Sequence, residues 1–159
     1  MKKTIAAVVC AAAAALSVQA HAEDAKVLRM ACESTYAPFV FFDSETGKLK
    51  GFEIDLLEYV AKEMGRKLEV TNMGFDAIIP SMLTGITDVG ASAFTITPER
   101  AKRVLFSKPY YISGLSILVR AEDKDKIKSV KDIENCTICA QIGTSGSMRA
   151  AKVPGAKVR

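Results

Sequence analysis

The 159-residue sequence predicts an α/β fold with a largely parallel sheet. Two observations carry that prediction. Short apolar runs rich in β-branched residues alternate with stretches whose apolar residues recur at helical spacing, the order expected of strand-helix-strand units. Glycine or a capping residue punctuates the helical stretches at their ends, so strand and helix are separated by recognisable stop and start signals.

Taken in order, Val27 to Ala31 reads as the first strand and Glu33 to Lys50 as a loop. Ile54, Leu57, Ala61 and Met64 then repeat at helical spacing, and Gly65 stops the helix. Leu68 to Thr71 is a second strand. Asp76 to Thr84 reads as a short helix despite Pro80 and is ended by Gly85, and Asp88 to Ala93 is a third strand. Val104 to Ser107 and Leu115 to Arg120 carry further β signals. Beyond Arg120 the run AEDKDKIKSVKD is a solvated turn and helix face, with Ser129 able to cap a short helix. Thr137 to Gln141 resumes as a strand and enters the Gly, Ser and Thr-rich turn Ile142 to Ser147. That turn is either a flexible loop or a polar cradle; it lacks the Lys-Ser/Thr ending of a phosphate loop. After Met148 no strand pattern is visible.

The first residues speak to compartment. Lys2 and Lys3 precede an apolar run from Ile5 to Val18, and Ala20-His21-Ala22 has the small-x-small form of a signal peptidase site. Residues 1–22 therefore read as a cleaved leader, and the mature chain as a soluble, exported, periplasmic protein. Cys10 lies within the apolar run and not at its end, which argues against a lipid-anchor site. Loss of the leader takes the 22 basic residues to 20 against 18 acidic ones, a net charge of +2. So balanced a surface implies no nucleic-acid partner. The only histidine, His21, leaves with the leader, which removes the commonest general base and metal ligand. No metal and no cofactor is expected.

Cys32, Cys136 and Cys139 remain. The Cys136-Thr-Ile-Cys139 spacing has the form of a redox or zinc pair, but residues three apart in a strand point to opposite faces. Buried strand cysteines are the expected reading, with at least one free thiol in an odd set.

Candidate ligand chemistry centres on AFTITPER, residues 93 to 100. Thr97 suits a helix N-cap, Pro98 the first helical position, and Glu99 the positive end of the helix dipole. Arg100 sits where that dipole disfavours a cation. A bound anion would offset this, and a guanidinium with Thr95 just upstream suits a planar carboxylate. The alternative is a surface arginine paired with Glu99 or a neighbour.

These residues also carry a resemblance. From about Val27 to Ser147 the motifs YAPFVF, GFEIDLLEYVAKEMG, FDAIIPSMLTGITDV, FTITPERAKRVLFSKPYY and SVKDIENCTICAQIGTSGS stand in the order and spacing of a known family. The chain resembles the periplasmic solute-binding proteins of polar amino-acid ABC transporters, the group of the glutamine-binding and lysine/arginine/ornithine-binding proteins. The resemblance implies a two-lobe clamshell with residues 23–109 in the first lobe, 110–114 as hinge and 115–159 as the start of an incomplete second lobe. Family members continue for roughly another hundred residues, which supply an acidic residue for the α-ammonium, so a truncated or fragmentary product is expected, with binding much weaker than in an intact homologue or absent.

By the same resemblance Arg100 and Thr95 would hold the ligand α-carboxylate, and Ala93 would offer its carbonyl to the α-ammonium. Tyr36 and Phe75 match the aromatic pair that sandwiches the ligand side chain; read alone, both are core candidates. Glu33 matches an acidic position at the ligand's distal end, Gln141 points to that end, and Thr144 and Ser145 match second-lobe contacts to the carboxylate. Asn135 replaces a glycine, a change asparagine tolerates because it enters left-handed conformations readily. The implied function is binding, without catalysis, of a free polar or basic L-amino acid by a monomer that delivers it to a membrane permease. Two alternatives share the fold: an exported dehydratase acting on prephenate-like acids, with Glu33 as general acid, and a ligand-sensing domain of a receptor.

Overall fold

A computed structural model describes residues 26–159; the expected leader lies outside the described residues. Strand β1, Val27–Cys32, is the centre of a three-stranded parallel sheet, flanked by β5, Lys67–Asn72, and β6, Val89–Gly90. Met30 pairs with Val70 on one side and Val89 on the other. Helix α1, Phe52–Glu63, covers one face of this sheet and α2, Phe75–Leu83, the other. The alternation of β1 decides which residue meets which helix. Leu28, Met30 and Cys32 pack with Ile54, Leu57 and Ala61 of α1, while Ala31 packs with Phe75 and Ile78 of α2. Each large core side chain taken from water contributes about 1.5–3 kcal/mol.

Local signals explain both helices. The buried stripe of α1 recurs at helical spacing, and the chain leaves the helix through Gly65 at φ 65°. Pro80 lies inside α2, whose buried residues Phe75, Ile78, Ile79 and Ser81 face the core. Gly90 lets α2 approach: a Cβ there would lie 2.7 Å from Ile78 Cγ2 and 2.9 Å from Met82 Sδ.

Several expectations need correction. The expected loop Glu33 to Lys50 holds an antiparallel meander of β2, Thr35–Tyr36, β3, Val40–Phe42, and β4, Leu49–Lys50. Val40 is fully buried there and anchors the meander on α1. The strand expected over Asp88 to Ala93 pairs only at Val89–Gly90, because Ala93 turns to φ 50° and leaves the extended region. The β signals at Val104 to Ser107 and Leu115 to Arg120 form no strand, since no neighbour among the described residues offers a ladder.

Helix α3, Pro98–Ala101, follows its Thr97 cap, whose side chain accepts the Arg100 N–H at 3.2 Å. Beyond the irregular segment come two 3₁₀ turns, Ala121–Asp123 and Val130–Ile133. Ser129 stands at the N-cap of the second, where Asp132 Oδ2 accepts the Ser129 N–H at 2.8 Å. Asn135 takes φ 61°, the left-handed conformation anticipated for it. Strand β7, Thr137–Ile138, is shorter than the expected Thr137 to Gln141 and pairs in parallel with β8, Lys157–Val158, after α4, Ser145–Ala150. Strand β8 carries no apolar alternation, so only its pairing reveals it. Cys136 is half-buried and Cys139 exposed, against the expectation of buried strand cysteines; Cys32 alone of the three is buried, and all three are free. The short β7 leaves both flanking cysteines near the sheet's edge.

Candidate functional site

The end of β6 and the start of α3 place Arg100 beneath the turn formed by residues 93 to 97. Arg100 is 5 % exposed. Its Nη1 donates to the Thr95 carbonyl at 2.8 Å and its Nη2 to the Gly143 carbonyl at 2.8 Å. The guanidinium also lies over two rings, 5.4 Å from the Phe75 centroid and 5.1 Å from that of Phe94, which stack on each other at 4.4 Å. Burial holds the Arg100 pKa below its ordinary value, with Glu99 acting in the opposite sense. Among the described residues no ion pair neutralises this cation. A guanidinium has five N–H donors, and two are spent on carbonyls.

The second part of the chain meets the first around this arginine. The Thr95 and Ser145 hydroxyls stand 3.2 Å apart. Gln141 Nε2 donates to both Glu33 carboxylate oxygens, at 2.7 and 2.6 Å. Gly143 lies at φ 76°, and a Cβ there would come within 3.0 Å of Asp76 Cβ, so both conformation and approach require glycine. Thr144 is the N-cap of α4: its hydroxyl donates to the Gln141 carbonyl at 2.7 Å and accepts the Ser147 N–H at 3.1 Å. Beside Arg100 opens a cavity of ≈330 Å³ whose walls include Phe75, Phe94, Arg103, Gly143 and Met148. That volume falls in the range of small-molecule sites.

Two groups of the expected residues are thus brought together, Arg100 with Thr95 and Ser145, and Glu33 with Gln141. Tyr36 and Phe75 do not stack as a pair: Tyr36 is half exposed with its ring on Phe39 at 5.7 Å, while Phe75 lies on Phe94. Ala93 lies beyond the end of β6 at Gly90, and its N–H donates to both Glu53 oxygens, at 2.9 and 3.0 Å.

Sequence reasoning missed four contributors. Phe94 and Gly143 sit inside motifs already noted, with nothing in their type to single them out. Glu53 and Tyr110 form a hydrogen bond in which the Tyr110 hydroxyl donates to Glu53 Oε1. The signal for Glu53 is its spacing: positions 53, 57 and 61 share the buried face of α1, so an acid stands where an apolar residue belongs. Burial raises the Glu53 pKa, while the bonds from Tyr110 and Ala93 act to lower it. Burial, joined by the Glu53 bond, raises that of Tyr110. Among the described residues no three His, Cys, Asp or Glu side chains cluster as a metal site, and no helix is long and apolar enough to cross a membrane.

Comparison with known proteins gives this geometry a context. The family model for bacterial extracellular solute-binding proteins, family 3, matches residues 28–153. A probable histidine-binding protein of Campylobacter jejuni is 33% identical over 132 residues, which cover 83% of this chain and 50% of that protein. Among solved structures, the ancestral amino acid-binding protein AncCDT-1, a precursor of cyclohexadienyl dehydratase, is 43% identical with a TM-score of 0.76. An ancestral arginine-binding protein bound to arginine is 40% identical, also with a TM-score of 0.76. Each match covers 84% of this chain and 60% of the other. The chain spans about half the length of the curated relatives it matches. These likenesses show a shared α/β fold.

Proposed function

The chain belongs to the bacterial extracellular solute-binding proteins, family 3, and from that premise we propose that it binds a free polar or basic L-amino acid, with Arg100 holding the α-carboxylate. The observation that carries this reading is a buried cation whose hydrogen-bond partners are all neutral main-chain carbonyls, with Glu99 acting on it only at longer range. A buried charge without a hydrogen-bonded counter-charge is costly by several kcal/mol, and a ligand carboxylate on the remaining guanidinium donors offsets that cost. Thr95 and Ser145 close on the same group from the two sides of the cleft. Thr144 acts through its cap, holding the start of α4 in place. Ala93 supplies a carbonyl for the α-ammonium, and Tyr36 and Phe75 flank the ligand side chain once it enters.

Glu33 and Gln141 set the distal end. A cationic or amide terminus can take the place of the Gln141 amide against the Glu33 carboxylate, whereas a carboxylate terminus is repelled. Relatives whose names specify histidine and arginine support a ligand of this kind. The same Glu33–Gln141 pair favours binding over dehydration, because both oxygens of the candidate general acid are engaged. In this reading residues 1–22 export the protein to the periplasm, residues 23–109 form the first lobe, 110–114 the hinge and 115–159 part of the second. The monomer then delivers its ligand to an ABC transporter permease.

Thermal melts of the chain from Glu23, with L-histidine, L-arginine, L-lysine or L-glutamine, test the proposal. A ligand at ~100 times its dissociation constant adds about 2.7 kcal/mol. At least one of the four raises the transition, and Arg100→Ala weakens that ligand roughly 100-fold, in line with the loss of a buried charge contact. Binding that survives Arg100→Ala unchanged contradicts the proposal.

A further inference from the structure

Glu53 is fully buried, yet the reading above assigns it no role. It stands in the first turn of α1 but does not cap it: the N-cap is Gly51, with no side-chain cap bond. Its oxygens are spent on two other parts of the chain. Both accept the Ala93 N–H, and Oε1 also accepts the Tyr110 hydroxyl. Ala93 and Asn135 are the only described non-glycine residues at positive φ. The left-handed region is unfavourable for alanine, so something must hold residue 93 there. The buried carboxyl group, whose two oxygens share the single Ala93 N–H in a bifurcated hydrogen bond, helps to hold it there. Two residues on, the Thr95 carbonyl receives Arg100. On the other side, Tyr110 lies in the irregular segment between the two parts of the chain and rests its ring on Phe52, 5.6 Å between centroids.

We infer that Glu53 is a positioning residue that fixes the Ala93 turn and, through one shared carboxyl group, ties that turn to Tyr110. A displacement of the connecting segment is then felt at the strand end that leads to Arg100. An apolar residue at position 53 would serve packing equally well; a buried carboxyl group is retained on the apolar face because it has bonds to make to two other segments. The inference rests on the amino-acid-binding reading for its consequence, though not for the link itself.

The two are separated by experiment on the full ¹⁵N-labelled chain. Tyr110→Phe removes only the hydroxyl, and Tyr59→Phe, on an exposed position of α1, is the control. The Ala93 amide resonance moves in Tyr110→Phe and in Glu53→Gln and stays in place in Tyr59→Phe. Titration with L-histidine, L-arginine and L-glutamine then shows affinity falling about tenfold in Glu53→Gln, the equivalent of one lost hydrogen bond to a charged group. If the unaltered chain binds none of the three while Ala93 still responds to Tyr110→Phe, the link stands and the amino-acid reading fails. If the unaltered chain binds while Ala93 and the affinity ignore both substitutions, the link is overturned. Tyr110→Phe keeps the ring, so the test survives even if Glu53→Gln fails to fold.

Discussion

Arg100 holds its charge at 5 % exposure with main-chain carbonyls and two aromatic faces around it. Its own desolvation is offset only in part, so it adds little to the stability of the empty protein, and on the proposed function it serves to recognise an anion. The cysteines show how environment divides one residue type. Burial, with the Glu53 charge adding to it, pushes the Cys32 thiol up to about 11, whereas Cys139 is exposed. The thiolate is the reactive form. At pH 8 a thiol reagent therefore labels Cys139 in the folded chain and reaches Cys32 only after unfolding, as peptide mapping will show; equal labelling rates would contradict the buried placement. At this scale Arg100 was legible because Thr97 and Pro98 fix a helix start and leave a cation in its first turn. Glu53 showed only as an acid on the apolar face of α1, since its partners Ala93 and Tyr110 lie 40 and 57 residues away.

Among the elements, β1, α1 and α2 were legible because each buries a face whose period is visible in the sequence, and β5 because half-buried Leu68 and Val70 alternate with exposed residues. The meander after β1 and strand β8 were not, since strands of two or three residues are too short to show alternation and exist through pairing. Conversely, the run from Val104 to Arg120 has strand-like residues without a ladder. Leu105, Ile112 and Leu118 are 97%, 94% and 99% exposed there, so composition alone did not make a strand. Helix α1 also carries a pH dependence through Glu53, which faces the titratable groups Tyr110 and Cys32. Its folded pKa is raised, so the folded state keeps this proton to higher pH than the unfolded chain does. The stability that follows is fully present below the unfolded value of about 4.3 and is lost as pH rises through the folded value. Denaturant melts from pH 4 upward should show the unaltered chain losing stability relative to Glu53→Gln; a constant difference across that window would contradict it. Asp88 acts in the opposite direction: the bond from Arg29 lowers its pKa, and its contribution is lost as pH falls below the carboxylate range.

Among the described residues, hydrogen bonds join the two parts of the chain at three pairs, Glu33 with Gln141, Thr95 with Ser145, and Arg100 with Gly143, beside the close approach of Gly143 to Asp76. Five of the six residues, all but Gly143, are proposed to face ligand, so on that proposal the surfaces that would hold the amino acid are also the ones that meet each other. The order of motifs announced both parts, while their meeting through Gly143 depends on a left-handed glycine that no periodicity marks. The central claim is that Arg100 holds a ligand carboxylate. Its most direct test is a titration of the ¹⁵N-labelled chain, following the Arg100 side-chain Nε–H resonance. The ligands are L-histidine, L-arginine and L-glutamine, each beside the corresponding amine that lacks the carboxylate. The account predicts that at least one amino acid shifts the Arg100 resonance and its decarboxylated partner does not; equal shifts from both, or binding that leaves Arg100 untouched, would contradict it.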